Sequence, residues 1–163
     1  MTGRDDVHWL DGDQQHVWRS FALGHQLLWE RLDRDLRAAH DLSLNEYEIL
    51  VRLSERPEHR MRMALLADSV CHSRSRLTHT VSRMERAGLL ERVVAADDGR
   101  GVVAAITPQG LRILEEAAPT HVAGVRRNLV DLADSDDFRA FGRVWDKVSD
   151  RLLAGLPEIA DIR

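Results

Sequence analysis

One segment governs the architecture of this chain: MALLADSVCHSRSRLTHTVSRMERAGLLERVVAADDGRGVVAAIT, residues 63–107. Its apolar residues over 63–70 recur at helical spacing, and residues 71–73 predict a turn. Ser73 can cap a second helix, which Gly88 would end. The side chains of this second helix that we expect in the core are Leu77, Thr80, Val81 and Met84.

A short β-hairpin is predicted directly after the second helix. Residues 89–95 and 102–107 carry the valines and isoleucine typical of strands, and they flank the turn DDGRG at 97–101. The two glycines and paired acids of that turn favour a tight reversal. Two helices joined by a turn and followed by a hairpin are the order of a winged helix-turn-helix DNA-binding module.

Composition limits the class of protein. A chain of 163 residues with 44% apolar content can form one domain with a packed core. No apolar run is long enough to cross a bilayer, and the start MTGRDDVHW lacks the apolar stretch of a signal peptide. The single cysteine, Cys71, excludes an internal disulfide framework. We therefore expect a cytoplasmic protein with no membrane partner.

Positive charge is concentrated in one part of an otherwise acidic chain. The net charge is −4, yet residues 72–92 contain five arginines and two glutamates, a local balance of +3. For DNA binding the placement of charge matters more than its sum. The arginines of this segment are Arg74, Arg76, Arg83, Arg86 and Arg92.

Long amphipathic helices are predicted on both sides of the central segment. Residues 11–40 and 108–156 carry apolar side chains at steps of three and four, and we expect Pro119 to kink the second region. Between residues 43 and 57, Ser43-x-x-Glu46 has the pattern of a capping box. The flanking stripes hold more apolar surface than a small lobe can cover, so a second copy of the chain is the simplest partner.

The element order, together with SLNEYEILVRLSE, RLTHTVSRMERAGLLER, DDGRG and ITPQG, resembles the MarR (multiple antibiotic resistance regulator) family of bacterial transcription factors. The resemblance covers nearly the whole chain. It implies a mainly α fold with a small β-hairpin wing and a single MarR-type domain over 1–163. Residues 43–107 would form the winged-helix lobe, flanked by dimerisation helices at 11–40 and 108–156. It also implies a homodimeric regulator, most often a repressor, that a small-molecule effector releases from DNA.

Side chains expected to contact DNA lie on the second helix of the central segment and at the wing. Arginine suits the two acceptors of guanine, and hydroxyls suit phosphates or either type of base. We expect Arg76 and Thr78 to contact bases and Arg83 to contact phosphate. Arg100 resembles the family's wing arginine in the minor groove, and we expect Asp98 to hold it. The full predicted set is Ser73, Arg74, Ser75, Arg76, Thr78, His79, Arg83 and Arg100.

Two-fold symmetry of a homodimer predicts its DNA target. The double-stranded operator would be pseudo-palindromic, with half-sites about 10 bp, or roughly 34 Å, apart. In the resembling family, small aromatic or phenolic effectors often bind between the dimerisation helices and the DNA-binding lobe. His25, Trp29 and Tyr47 could line such a cleft here, or they could be ordinary core and interface residues.

Other chemistries are weakly represented in the sequence. Cys71 lies beside the predicted recognition helix, but it has no second cysteine to resolve an oxidised thiol, so a structural residue is the better interpretation. The histidines show no paired metal-ligand spacing, and no catalytic set or cofactor motif is present. We expect no enzyme, metal or cofactor. The alternative function is a dimeric winged-helix protein that acts by protein contact or non-specific DNA binding without an effector.

Overall fold

The computed structural model describes residues 7–94 and 101–154. Helices dominate the fold, and a three-stranded antiparallel sheet completes the central lobe. A fold that is mainly α with a small wing is confirmed. The elements in chain order are α1 (Gly12–His40), α2 (Leu44–Ser54), a 3-10 turn (Pro57–His59), β1 (Arg60–Arg62), α3 (Met63–Ser69), α4 (Arg74–Arg86), β2 (Leu90–Val94), β3 (Val102–Ile106), α5 (Pro108–Asn128), a second 3-10 turn (Val130–Leu132) and α6 (Ser135–Leu153).

Helix starts follow the local capping signals. The Asp11 side chain accepts a hydrogen bond from the Gln14 amide, and the Ser43 hydroxyl does the same for Glu46. Both pairs form complete capping boxes, which satisfy amides that would otherwise lack partners at a helix start. Thr107 caps α5, with proline at the first turn. The capping box predicted at Ser43 and Glu46 is therefore confirmed.

The sheet contains one strand that the sequence analysis did not predict. The strand order is β1-β3-β2, with Met61 of β1 opposite Ala104 of β3. The expected hairpin is formed by β2 and β3, which pair from Leu90 opposite Ile106 to Val94 opposite Val102. Strand β1 is only three residues long and leads directly into α3. No loop residue therefore separates the sheet from the first helix of the helix-turn-helix.

The hydrophobic core lies in the central lobe. Leu77, Val81 and Met84 of α4 are almost completely buried, as predicted, against buried leucines of α2 and α3. Burying side chains of this size stabilises the fold by about 1.5–3 kcal/mol each. By contrast, α6 contains no buried residue. Its apolar face is only partly covered by the described part of the chain, and Phe141, Val144 and Leu152 stay exposed.

The fifth helix runs from Pro108 to Asn128 with Pro119 inside it, and the kink expected at this proline stays a prediction. The Asn128 side chain donates a hydrogen bond to the Gly124 carbonyl, 2.7 Å away, in the last turn. This local bond competes with the helical backbone, and Leu129 leaves the helical region with φ −141°.

Candidate DNA interface and ligand cavity

Helix α4 presents a polar surface on the side opposite its core residues. Ser73 accepts a hydrogen bond from the Arg76 amide at 3.3 Å, which fixes the start of the helix. Cys71, in the preceding turn, adopts φ 52°, a left-handed conformation, between the end of α3 and the start of α4. Every predicted contact residue of the helix is exposed: Ser73, Arg74, Ser75, Arg76, Thr78, His79 and Arg83.

Two of these exposed residues already have partners within the chain. The Thr78 hydroxyl donates to the Arg74 carbonyl at 2.8 Å, so towards a ligand it can act only as an acceptor. The Arg83 Nε donates to the Glu46 Oε1 at 2.8 Å, which ties α4 to α2. The sequence pattern around Glu46 predicts only a capping residue, because an ion pair across 37 positions leaves no local signal.

The carboxylate of Glu46 is buried and completely satisfied. Its Oε2 accepts from the Ser43 amide at 2.9 Å and from the Ser43 hydroxyl at 2.6 Å. Burial alone would raise the pKa of Glu46, but the hydrogen bonds from Ser43 and Arg83 lower that pKa below its ordinary value. The side chain of Glu46 is therefore a fixed negative charge beneath the recognition helix.

The wing is held against the recognition helix by a second ion pair. Arg92 of β2 donates from Nη2 to the Glu85 Oε2 of α4 at 2.6 Å. This hydrogen bond from Arg92 lowers the pKa of the Glu85 carboxyl, which keeps the pair charged. Asp98 and Arg100, the predicted wing residues, lie outside the described residues. Their proposed role at the minor groove stays a prediction.

A cavity of about 680 Å³ lies between the long helices and the DNA-binding lobe. The three residues that were predicted for an effector cleft, His25, Trp29 and Tyr47, all contribute to its walls. Two residues that were not predicted for a cleft, Cys71 and His121, join them. The cavity therefore touches α1, α2, α5 and the turn that precedes the recognition helix.

The cavity wall combines aromatic faces with polar groups. His25 lies against Trp29 with ring centroids 4.2 Å apart, and His121 lies against Tyr47 at 4.6 Å. Burial lowers the pKa of His121, which favours its neutral imidazole, and burial raises the pKa of Glu48 above its ordinary range. The His121 Nδ1 is buried and has no hydrogen-bond partner within residues 7–94 and 101–154.

A second cavity, of about 520 Å³, adjoins the first along α1 and is also lined by Phe141 and Trp145 of α6. Its walls are mainly aromatic, and Phe21 meets Trp145 there with ring centroids 4.7 Å apart. His25 and Trp29 belong to both cavities. The two cavities therefore adjoin along one face of α1: the first, called the lobe-side cavity below, also touches α2, and the second also touches α6.

Neither metal nor membrane features occur in the described ranges. No group of three histidine, cysteine or acidic residues there could hold a metal ion. None of the helices in those ranges combines the length and the apolar character that a membrane span requires. Cys71 is exposed, and no second cysteine exists to pair with it within the chain.

Comparison with known proteins places these features in context. A protein-family model described as the MarR family matches residues 42–102. The solved structure of AbsC, a MarR family transcriptional regulator from Streptomyces coelicolor, is 38% identical, with a TM-score of 0.85 over 91% of this chain and 99% of that one. Sco3205, a MarR family regulator from the same organism solved in complex with DNA, is 35% identical, with a TM-score of 0.85 over 90% and 92% of the two chains.

More distant structures share the fold alone. The organohalide-sensing regulator RdhR-CbdbA1625, solved in its 2,4-dichlorophenol-bound form, is 15% identical. Its TM-score is 0.75, over 96% of this chain and 90% of that chain. A search of curated proteins found no match to this chain.

Proposed function

Because this chain belongs to the MarR family of DNA-binding transcriptional regulators, we propose that it is a homodimeric, sequence-specific repressor released from DNA by a small aromatic or phenolic effector. Members of the family are regulators rather than enzymes. The observation that carries the proposal is the cavity between the long helices and the lobe, because its wall includes the turn that begins the recognition helix.

Sequence-specific DNA binding is supported by the surface of α4. Arg76 and Thr78 are exposed near the helix start, where a recognition helix enters the major groove. Arginine can donate two hydrogen bonds to guanine, and the Thr78 hydroxyl can accept one from a base or a backbone group. The related Sco3205, 35% identical, has been solved bound to DNA. The other predicted contacts are Ser73, Arg74, Ser75, His79, Arg83 and, at the wing, Arg100 supported by Asp98.

Homodimer formation is supported by the uncovered helices. Val144 and Leu152 of α6 are 58% and 71% exposed, although they belong to the apolar stripe of that helix. On α1, Val17 and Trp18 are similarly exposed. Large exposed apolar faces mark interaction surfaces, and a second copy offers a matching pair of helices. The two lobes of such a dimer would contact half-sites about one DNA turn apart.

Effector release is supported by the composition of the cavity. Trp29 and Tyr47 offer aromatic faces, and the His121 Nδ1 offers an unused hydrogen-bonding atom to a hydroxyl group. A ligand that fits best when the cavity is open would favour one spacing of the two lobes over another. RdhR-CbdbA1625 has been solved with 2,4-dichlorophenol, which makes a chlorinated phenol a sensible first probe.

One binding experiment tests the proposal. The chain is titrated against a labelled DNA fragment from upstream of its own gene at moderate salt, with unrelated DNA as competitor. We expect binding that unrelated DNA does not displace and that 2,4-dichlorophenol or a related phenol weakens. Equal affinity for both DNAs would favour non-specific coating, and no affinity for either would favour action through protein contacts.

A further inference from the structure

The guanidinium of Arg83 is fixed along only one of its edges. Its Nε donates to Glu46, while the side chain as a whole remains 55% exposed. Arginine carries five N–H donors in a rigid planar fork, four of them on the two Nη atoms. Within the ranges that the structure describes, no hydrogen bond engages the Nη atoms of Arg83. The outer edge of the fork is therefore available to an acceptor outside the chain.

The group that holds the inner edge cannot move easily. The side chain of Glu46 is 9% exposed, and its second oxygen is held by the amide and hydroxyl of Ser43. Ser43 is itself buried at the start of α2, where the next amide, that of Leu44, donates to the Asp33 Oδ1 of α1 at 2.9 Å. The direction of the Arg83 fork is thus set by the junction of α1 and α2.

We propose that Glu46 is a positioning residue for DNA binding, whose carboxylate holds the Nε edge of Arg83 so that the Nη edge meets a backbone phosphate. The proposal rests on the proposed function, because it takes Arg83 as a phosphate contact. Holding the fork in advance lowers the entropy that is lost when a long side chain is ordered at an interface. It also sets the geometry for a charge-assisted hydrogen bond with phosphate.

Positioning and simple electrostatics make opposite predictions for one substitution. Glu46→Gln removes a negative charge beneath a DNA-binding surface, so Coulomb attraction alone would tighten binding to the polyanion. If Glu46 positions Arg83, the same substitution weakens binding, because a neutral amide holds the guanidinium less firmly and its single oxygen cannot accept from both Ser43 and Arg83. The sign of the change in affinity therefore separates the two effects.

The experiment measures Kd by fluorescence anisotropy on the upstream DNA fragment over a series of salt concentrations, below the melting temperature of every variant. Four variants are compared with the parent: Arg83→Gln, Glu46→Gln, the double variant, and Arg86→Gln as a control. Arg86 is an exposed arginine of the same helix whose Nε donates to the Ser82 carbonyl. It belongs to no predicted contact set, so its removal controls for the general loss of positive charge.

We expect Arg83→Gln to weaken binding about five- to tenfold and to lower the salt slope by about 0.9 for each lobe that loses its phosphate contact. Glu46→Gln should weaken binding about three- to tenfold, and the double variant should be no weaker than Arg83→Gln, because both act on one contact. The Arg86→Gln control should change the Kd less than either single variant.

Several results would overturn the proposal. One is that Glu46→Gln binds the DNA fragment as tightly as the parent or more tightly. Another is that the fold-losses in affinity of the two single variants multiply in the double variant. Arg83→Lys gives a test that leaves Glu46 intact, because one ammonium cannot serve the carboxylate and the phosphate in the same way as a fork. Full affinity in Arg83→Lys would also overturn the proposal.

The failure of the proposed function has a different signature. Suppose that the parent binds its own fragment specifically while Arg83→Gln changes neither Kd nor salt slope. The positioning role of Glu46 is then wrong, and the proposed regulator function is still supported. If the parent shows no preference for its own fragment over unrelated DNA, the proposed function fails and the positioning role fails with it.

Discussion

The imidazole of His121 on α5 lies against the phenol of Tyr47 on α2, with ring centroids 4.6 Å apart and the ring planes tilted by 30°. This contact closes the wall of the lobe-side cavity and joins a long flanking helix to the DNA-binding lobe. Burial lowers the pKa of His121, so the native protein favours its neutral form. Protonation of His121 therefore opposes the packing of these two helices.

The first prediction concerns pH. An unfolded histidine takes up a proton near its ordinary pKa of 6.5, before the native one does, so the stability that His121 contributes is present above that pH and is lost as the pH falls. His121→Phe keeps a ring against Tyr47 without a titrating group. We expect the Tm of the parent to fall more steeply than that of His121→Phe between pH 7 and pH 5. Differential scanning calorimetry across this range measures the difference.

A matched control separates this effect from the loss of any histidine. His16 is exposed on α1, so His16→Gln should retain the parent's pH dependence. His72 is also affected by burial and by the charge of Arg76, which lower its pKa, but it is present in all three proteins. Parallel Tm profiles for the parent and His121→Phe would contradict the assignment.

The second prediction concerns the cavity ligand. Trp29 forms part of the wall and stacks against His25, so Trp29→Ala removes an aromatic face from any phenol bound there. We expect its Kd for 2,4-dichlorophenol to rise at least tenfold, since a lost aromatic contact costs about 1.5 kcal/mol or more. Isothermal titration calorimetry gives both constants. Trp9→Ala is the control, because Trp9 is 74% exposed and lines neither cavity.

Assembly of two copies gives the third prediction. Val144 is 58% exposed on the apolar stripe of α6. A carboxylate introduced by Val144→Asp would have to be desolvated in a dimer interface, which costs several kcal/mol. We expect light scattering to give twice the 18.5 kDa chain mass for the parent and a shift towards the single-chain mass for Val144→Asp. Arg143→Ala, an exposed neighbour, should stay at the parent mass. A parent that elutes as a single chain would refute dimerisation.

The contact between α5 and the wing sheet gives the fourth prediction. Gly110 is buried, and a Cβ added there would overlap the Leu89 carbonyl oxygen and lie 2.8 Å from the Ile106 Cγ1. Because the obstacle is backbone, Gly110→Ala should lower the free energy of unfolding by about 3 kcal/mol. Urea denaturation measures this change. Gly12→Ala is the control, since a Cβ there meets nothing within 4 Å. Equal stability of the two variants would show that the backbone yields.

The fifth prediction concerns base specificity. Arg76 is the strongest candidate for a bidentate contact with guanine, worth about 1–3 kcal/mol of discrimination. Arg76→Ala should therefore weaken binding to the upstream fragment and relax the preference at one base pair in each half-site. Selection from a randomised DNA pool followed by sequencing measures both effects. An unchanged preference profile would remove Arg76 from base recognition.

Local signals were enough to predict most elements of the fold. Ser43 with Glu46, Ser73, and Thr107 with Pro108 mark helix starts through backbone amides a few residues away. Gly88 has φ 72°, the conformation that a helix end of this kind requires. Each signal acts within one turn of its own helix, so the order of residues alone contains it.

Features that join distant segments could not be predicted in the same way. Strand β1 has only three residues, too few for its alternation of exposed arginines and a buried methionine to be distinctive, and it exists because Met61 pairs across to β3. The Glu46–Arg83 ion pair and the contact of His121 with Tyr47 also join residues that are distant in the sequence. The residues around each partner do not indicate which distant side chain it will meet. The cavity residues His25, Trp29 and Tyr47 were named through family resemblance. Cys71 and His121 were found only when the helices were in place.

The direct passage from Arg62 at the end of β1 to Met63 at the start of α3 leaves no hinge between wing and helix-turn-helix. Together with the Arg92–Glu85 pair, it ties the sheet to both helices of the helix-turn-helix. A small molecule that changes DNA affinity is then expected to tilt each lobe as a unit relative to α1 and α5. Tilting the lobes in this way changes the affinity of the protein for an operator. It leaves the preferred base sequence the same.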